Sequence, residues 1–185
     1  GKYRRKYGTK IREKTRELAK KRRIDERPKV VERRGRIGDF EGDTMLGRDK
    51  RVRIVTLVDR RSGYLMAYLL PKLNAELLTK LAVQKMRQLP KEKRRTLTLD
   101  NGTEFSDWER LERQTKMTVY FAYPYHSWER GTNENTNGLL RQFFPKSMDF
   151  NCITPKELAD VVKSLNDRPR KRLKFKSPKQ VFMKR

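Results

Sequence analysis

The sequence has little of the chemistry that soft metals and disulfides need: its 185 residues include one histidine, His126, and one cysteine, Cys152. A single chain therefore cannot supply the imidazole and thiolate ligands of a tetrahedral zinc site, nor an intramolecular disulfide. The sequence also has no apolar stretch near the ~20 residues of a membrane-spanning helix and no hydrophobic signal segment near Gly1. We therefore expect a soluble, intracellular protein in a reducing compartment.

Acidic residues are scarce, with 23 Asp and Glu against 48 Lys and Arg, which gives a net charge of +25. The excess lies at the two ends: residues 1–36 hold 17 basic and 5 acidic residues, and residues 168–185 hold 9 basic and none acidic. We predict a basic N-terminal arm or linker at 1–36 and a core domain at 37–185 with a basic C-terminal helical extension. This charge favours a nucleic acid as partner, and solvated tails are the alternative.

Three acids stand far apart in the sequence. Asp43 lies at the end of an apolar, strand-like run, Asp100 begins the turn in LDNGTEF (99–105), and 33 residues separate Asp100 from Glu134. Two divalent cations ~3.5–4 Å apart, flanking a phosphate under attack, need hard oxygen ligands of this kind. Magnesium or manganese is the metal option that remains for such ligands.

Each acid also has an ordinary structural interpretation. Asp39, Glu41 and Asp43 share one face by period-two alternation, so local spacing does not choose among them. The sequence Asp-Asn-Gly at Asp100 is common turn chemistry, and Glu134 is suited to complementing a helix dipole. Only the three acids taken together favour a catalytic site.

Hydrophobic periodicity predicts a mixed five-stranded sheet flanked by helices. The predicted strands are 37–46, 52–58, 64–70, 96–99 and 117–122, the first three antiparallel. One predicted helix begins after the Asn74 cap and ends before Pro90. A second begins at Ser106, which has capping-box spacing, and a third covers 132–144. Thr154-Pro and Ser177-Pro begin two more, and a polar helix is expected around residues 9–23.

The strings WERGTNENTNGLLRQFFPK (128–146) and IGDFEGDT (37–44) resemble insertion sequence 30 family transposases. The resemblance covers roughly residues 25 to 185 and departs at Phe40, where the family usually has tryptophan. It implies a ribonuclease-H-like integrase core whose acidic triad maps onto Asp43, Asp100 and Glu134. A basic residue seven positions after the catalytic Glu, here Arg141, also fits the family.

The resemblance further implies an enzyme that uses two Mg²⁺ or Mn²⁺ ions to cleave DNA 3′ ends and transfer strands during DNA transposition. Its partners would be the terminal inverted repeats of a mobile element, target DNA and further copies of itself, in the nucleoid of the bacterial cytoplasm. Since the chain begins with Gly1, we expect a fragment that lacks an amino-terminal helix-turn-helix region.

Several neighbours are candidates for DNA contact: His126, Arg130, Asn133, Asn137, Arg141, Arg170, Lys171 and Arg172. The histidine also suits a general base, and the arginines at 130 and 141 also suit pairing with acids. The asparagines at 133, 135 and 137 suit helix capping equally well. Asn101 and Gly102 are expected to shape the turn at Asp100, and Glu104 and Glu129 to be solvated or paired rather than bound to metal.

Two other functions remain open. A ribonuclease-H-like nuclease, specific for a DNA structure or for RNA–DNA hybrids, would use the same three acids with water as its only nucleophile. A non-catalytic nucleic-acid-binding protein would rely on the basic arms alone, and the complete set of acids disfavours it.

Overall fold

A computed structural model describes residues 20–123 and 131–184. One five-stranded sheet has the order β3-β2-β1-β4-β5. Its strands are β1 (Asp39–Leu46), β2 (Arg53–Asp59), β3 (Leu65–Leu70), β4 (Thr96–Leu99) and β5 (Thr118–Phe121). The first three strands pair antiparallel, while β1 with β4 and β4 with β5 pair parallel. The predicted mixed sheet is confirmed.

Helices cover both faces of the sheet. They are α1 (Lys29–Glu32), α2 (Ala75–Arg87), α3 (Trp108–Thr115), α4 (Gly131–Leu140), α5 (Pro155–Asp167) and α6 (Pro178–Met183). Three predicted N-caps are confirmed, because the side chains of Asn74, Thr154 and Ser177 each accept a hydrogen bond from the backbone N–H of the third residue after them. None of the helices in the described ranges is long and apolar enough to cross a membrane.

Two predicted helix ends are wrong. Ser106 forms no capping box, because residues 103–105 form a 3-10 turn that leaves Ser106 with helical φ and ψ of −63° and −25°, whereas an N-cap needs an extended backbone. Asp107 precedes α3 instead. The predicted helix 132–144 ends at Leu140, since the amides of Gln142 and Phe143 bond to carbonyls three residues back. Pro145 follows, and a residue before proline disfavours the helical conformation.

The sheet separates two apolar clusters. One contains Phe40, Val55 and Leu57 with residues of α2 and α3, and the other contains Ile54 and Val58 with residues of α4 and α5. Since side chains alternate along a strand, the three acids of β1 lie on the face that α4 and α5 cover. The fold therefore puts acidic side chains directly under α4, the helix that carries Glu134.

The described end of the predicted basic arm packs against the core. The Phe121 amide donates to the Arg22 carbonyl oxygen at 2.8 Å, and the Arg27 guanidinium donates to Thr98 Oγ1 at 3.1 Å. Val31 in α1 is fully buried. Residues 1–19 and 124–130 lie outside the described structure, so most of the polar helix expected around 9–23 does too. The domain boundary after residue 36 stays a prediction.

Two glycines are expected to respond to alanine in opposite directions. A Cβ at Gly42 in β1 would lie 2.6 Å from Leu99 Cδ2, whereas one at Gly138 in α4 would meet no atom within 4 Å. We expect Gly42→Ala to lower the free energy of unfolding by about 1–3 kcal/mol through overpacking. Gly138→Ala should raise it by about 0.5–1 kcal/mol, since alanine favours a helix. Urea unfolding of both variants measures this, and equal shifts of one sign would contradict it.

Candidate active site

The two aspartates of the predicted triad lie on adjacent parallel strands. Residue pairing between β1 and β4 runs to Glu41 opposite Thr98, and the same register continued by two residues places Asp43 beside Asp100. Neighbouring strands lie about 4.8 Å apart. Both aspartates are half-buried, at the end of β4 where the chain leaves the sheet.

A short turn fixes the direction of Asp100. Its Oδ1 accepts a hydrogen bond from the Gly102 amide at 2.9 Å, and Asn101 Nδ2 donates to the Ala122 carbonyl oxygen at 2.7 Å. These contacts confirm that Asn101 and Gly102 shape the turn. A Cβ at Gly102 would lie 2.4 Å from Glu104 Oε2 and 2.8 Å from Asp100 Oδ1, so a side chain there would displace a carboxylate.

Helix α4 is joined to Asp43 through Asn137. Asn137 Nδ2 donates to Asp43 Oδ2 at 2.8 Å. The Thr56 hydroxyl, on the strand residue paired with Asp43, lies 3.1 Å from the side-chain oxygens of both Asn133 and Asn137. Glu134 precedes Asn137 by three residues and therefore lies on a neighbouring part of the helix surface. The structure thus places Glu134 one helical turn from the residue that contacts Asp43.

The carboxylate of Glu134 is exposed. Within residues 20–123 and 131–184, no three His, Cys, Asp or Glu side chains are close enough together to hold one metal ion. The structure therefore shows two neighbouring aspartates with the third acid nearby on α4, and their shared role as metal ligands stays a prediction. The donors themselves fit a hard cation, since all three are carboxylates.

The other two acids of β1 are buried and form ion pairs with arginines. Asp39, almost fully buried, accepts from the Arg36 guanidinium at 2.9 Å and from Thr96 Oγ1 at 2.9 Å. Glu41 is fully buried, forms an ion pair with Arg60, and accepts from the Asn133 amide at 2.8 Å. Asp39 and Glu41 are thus buried and paired with arginines, whereas Asp43 is half-buried and accepts from Asn137, a difference that the sequence spacing alone does not give.

Glu41 has a positioning role that its place among the three acids of the strand face does not predict. Its Oε2 satisfies the N–H of Asn133 in the first turn of α4, so it holds the start of the helix that carries Glu134. The signal in the sequence was an acid in a buried strand with Arg60 directly after the neighbouring strand. Only the antiparallel register of β1 and β2 brings the two residues together.

The residues predicted to contact DNA differ in how exposed they are. Asn133 is fully buried against Thr56, a position that disfavours its predicted DNA contact. Asn137 is partly exposed and contacts Asp43. Arg141 donates to the Phe144 carbonyl oxygen at 3.3 Å and lies over the Phe150 ring, and burial lowers its pKa. Contacts of Asn137 and Arg141 with DNA stay predictions.

The remaining site residues divide into three groups. Glu104 accepts from Thr44 Oγ1 at 2.8 Å and pairs with the Arg53 guanidinium at 3.3 Å, which confirms the expectation that it is paired. His126, Glu129 and Arg130 lie outside the described residues. Three predicted DNA contacts, Arg170, Lys171 and Arg172, lie between α5 and α6 and line a cavity beside α4.

Comparison with known sequences gives one family match and several transposases as relatives. Residues 36–127 match the integrase core domain family. The chain is 43% identical to the transposase for insertion sequence element IS4351 of Bacteroides fragilis, over 86% of the chain and 48% of the relative. It is 42% identical to the transposase InsI for insertion sequence element IS30A of Escherichia coli (strain K12), over 86% of the chain and 41% of the relative. The chain therefore spans about half the length of these relatives.

Solved structures identify the fold. A chain in a simian T-cell lymphotropic virus intasome, in complex with PP2A regulatory subunit B56 gamma, matches with a TM-score of 0.66 and 17% identity, over 80% of this chain and 55% of that one. The catalytic core domain of BIV integrase matches with a TM-score of 0.60 and 21% identity, over 78% and 92%. The predicted ribonuclease-H-like fold is thus confirmed. The chain belongs with the integrase core domain proteins, and its sequence relatives are transposases of the insertion sequence 30 family.

Proposed function

We propose that this chain is the catalytic core of a transposase that cleaves DNA 3′ ends and joins them to other DNA. The observation that carries the proposal is the placement of Asp43 and Asp100 on adjacent parallel strands, with α4 joined to Asp43 by the Asn137 hydrogen bond. The transposase names of the sequence relatives support the same reaction.

Asp43, Asp100 and Glu134 would hold two Mg²⁺ or Mn²⁺ ions. Such ions, when bound, activate the attacking hydroxyl and stabilise the leaving oxygen of an in-line displacement at phosphorus. The protein holds Asp43 through Asn137 and Asp100 through the Gly102 amide, so both carboxylates are oriented before a ligand arrives. Glu134 would join them from its exposed position on α4, one helical turn before Asn137.

The substrate in this proposal is double-stranded DNA: the terminal inverted repeats of a mobile element and a target. A net charge of +25 supplies affinity for phosphates through counterion release. Joining two element ends requires two active sites, so we propose that the protein acts as a homo-oligomer on DNA, in association with the bacterial nucleoid.

The reaction is tested with DNA that carries a pre-cleaved element end. We expect the full-length protein, when it is supplied with Mn²⁺, to join that end covalently to a second duplex. The products, resolved on a denaturing gel, should be longer than either substrate and should vanish when the terminal 3′ hydroxyl is replaced by hydrogen, because that hydroxyl is the nucleophile.

A nuclease of the same fold would give a different result. Water would then be its only nucleophile, so only shortened fragments would form and the 3′-deoxy substrate would be cut as well as the 3′-hydroxyl one. Shortened products alone, together with ready cutting of RNA–DNA hybrids, would replace the transposase proposal by the nuclease. Tight DNA binding with neither reaction, across several metals, would leave a non-catalytic binding protein.

A further inference from the structure

A tight basic loop connects α5 to α6. Between Arg170 and Lys176 the chain closes on itself: the Arg170 amide donates to the Lys176 carbonyl oxygen at 3.0 Å, and the Phe175 amide donates to the Arg170 carbonyl oxygen at 3.0 Å. A 3-10 turn, Lys171–Leu173, lies within the loop. The last 18 residues of the chain contain no acid, so every charged side chain of the loop itself is positive.

The loop and α4 enclose a cavity of about 180 Å³. Its polar lining comes from Arg170, Lys171 and Arg172 of the loop and from Asn135 and Thr136 of α4, and leucines and Pro178 complete the wall. Within residues 20–123 and 131–184, neither arginine has a carboxylate oxygen within 4.0 Å. Both guanidinium groups donate to backbone carbonyls, Arg170 to Leu165 and Arg172 to Arg61, which holds them in place.

The cations in and around this cavity repel one another. Burial, then the charges of Arg34 and Arg170, lower the pKa of Arg172 against the opposing charge of Asp59, and burial, then Arg168, lowers the pKa of Arg170. An anion placed in the cavity would relieve this repulsion. A phosphate group suits it, because guanidinium groups bind phosphate oxygens with directional hydrogen bonds.

Phe175 extends from the same loop into solvent. Its side chain is 73% exposed, the largest exposure among the large hydrophobic residues in the described ranges. Lys174 and Phe175 have φ of +54° and +61°, a left-handed conformation that is unfavourable for bulky residues and is maintained here by the loop hydrogen bonds. An exposed aromatic ring flanked by two lysines, Lys174 and Lys176, is typical of surfaces on which an unpaired base stacks.

We propose that residues 170–176 dock DNA, with a backbone phosphate in the cavity and an unpaired base on Phe175. The proposal rests on the proposed function only in taking DNA as the ligand. Asn135 follows Glu134 directly, about 100° around the helix axis, so the phosphate would bind on the flank of α4 next to the one that carries the acid. The catalytic helix would then be held between the sheet and the DNA.

Stacking is tested with the 185-residue chain and a duplex that ends in a six-nucleotide single strand. We expect Phe175→Leu to weaken binding of this DNA about 5- to 100-fold, as loss of one base–aromatic stack does. Phe175→Tyr should keep binding within about twofold, since it keeps the ring. A blunt duplex should be bound almost equally by all three proteins. Phe143→Leu, at a ring that is 45% exposed, is the matched control and should have no effect.

The cavity is tested by the salt dependence of binding. Lys171→Gln/Arg172→Gln should reduce the slope of log affinity against log salt by about 1, which corresponds to one phosphate contact. Lys80→Gln/Lys91→Gln removes equal charge from exposed positions outside the loop and should leave the slope unchanged. Lys171→Gln alone guards against a folding defect, because Lys171 is exposed, and melting curves of each variant verify the fold.

Unchanged affinity and slope in the loop variants would overturn the inference, as would equal losses in the control variants or a loss for RNA but not for DNA. If the protein transfers strands while the loop variants bind normally, the inference fails and the proposed function stands. If no strand transfer occurs but the loop variants still lose DNA, the docking site stands without the transposase.

Discussion

Asp43→Asn, Asp100→Asn and Glu134→Gln should each reduce DNA cleavage and strand transfer by roughly 10³-fold or more, while the fold and the affinity for DNA stay nearly unchanged. The amides keep the shape of each side chain but remove the negative charge that would hold a divalent cation. Each tenfold loss of rate is about 1.4 kcal/mol of lost transition-state stabilisation. Product formation on gels, with binding measured separately by anisotropy, separates catalysis from affinity.

The matched control for these three variants is Glu104→Gln. Glu104 lies beside Asp100 but is paired with Arg53 and Thr44, so its loss should have a much milder effect on activity. Glu109→Gln on the exposed surface of α3 should have none. Full activity in any one of the three variants would remove that residue from the catalytic set.

The second large effect is expected at Glu41. Glu41→Gln should lower the free energy of unfolding by about 3–5 kcal/mol, because the Arg60 charge stays buried without its partner. For a chain of this size that corresponds to a fall in Tm of roughly 6–20 °C. Thermal unfolding followed by circular dichroism measures the change.

A double-mutant cycle identifies the cause. Arg60→Met in the Glu41→Gln background removes the unpaired buried charge, so the double variant should be less destabilised than the sum of the two single variants. If the destabilisation of the double variant equals the sum of the two single values, Glu41 and Arg60 do not depend on each other. Because the double variant should still fold, it also tests whether Glu41 positions α4. We expect it to need a higher Mn²⁺ concentration than the unmodified protein for half-maximal activity.

The parts of the fold that depend on local pattern could be predicted from the sequence. The strands followed from alternating apolar residues, and the helix starts at Asn74, Thr154 and Ser177 followed from cap chemistry that acts within three residues. The cap at Ser106 had the same spacing and was wrong, because the preceding residues fold into a 3-10 turn that no spacing rule detects.

The candidate site was predictable only in part. The acids at 43, 100 and 134 could be selected from motif and spacing, but their surroundings depend on contacts between distant segments. Asn133 was grouped with exposed DNA contacts although the sheet buries it, and Glu41 was not separated from Asp43 although Arg60 neutralises it. Which acid on a strand face is buried in an ion pair and which lies half-buried near the strand end follows from its neighbours in the fold and not from the strand itself.

The hydrogen bond between Asn137 and Asp43 also affects when the site can first exist. It joins residues that are 94 positions apart, and the parallel pairing of β1 with β4 likewise joins distant segments. Contacts between such distant segments form slowly in folding. At a synthesis rate of about 5–20 residues per second, Asn137 is made roughly 5–20 s after Asp43. During that interval a nascent chain already carries its basic N-terminal segment but has no assembled carboxylate site, so under the proposed function it would bind nucleic acid before it could cut it.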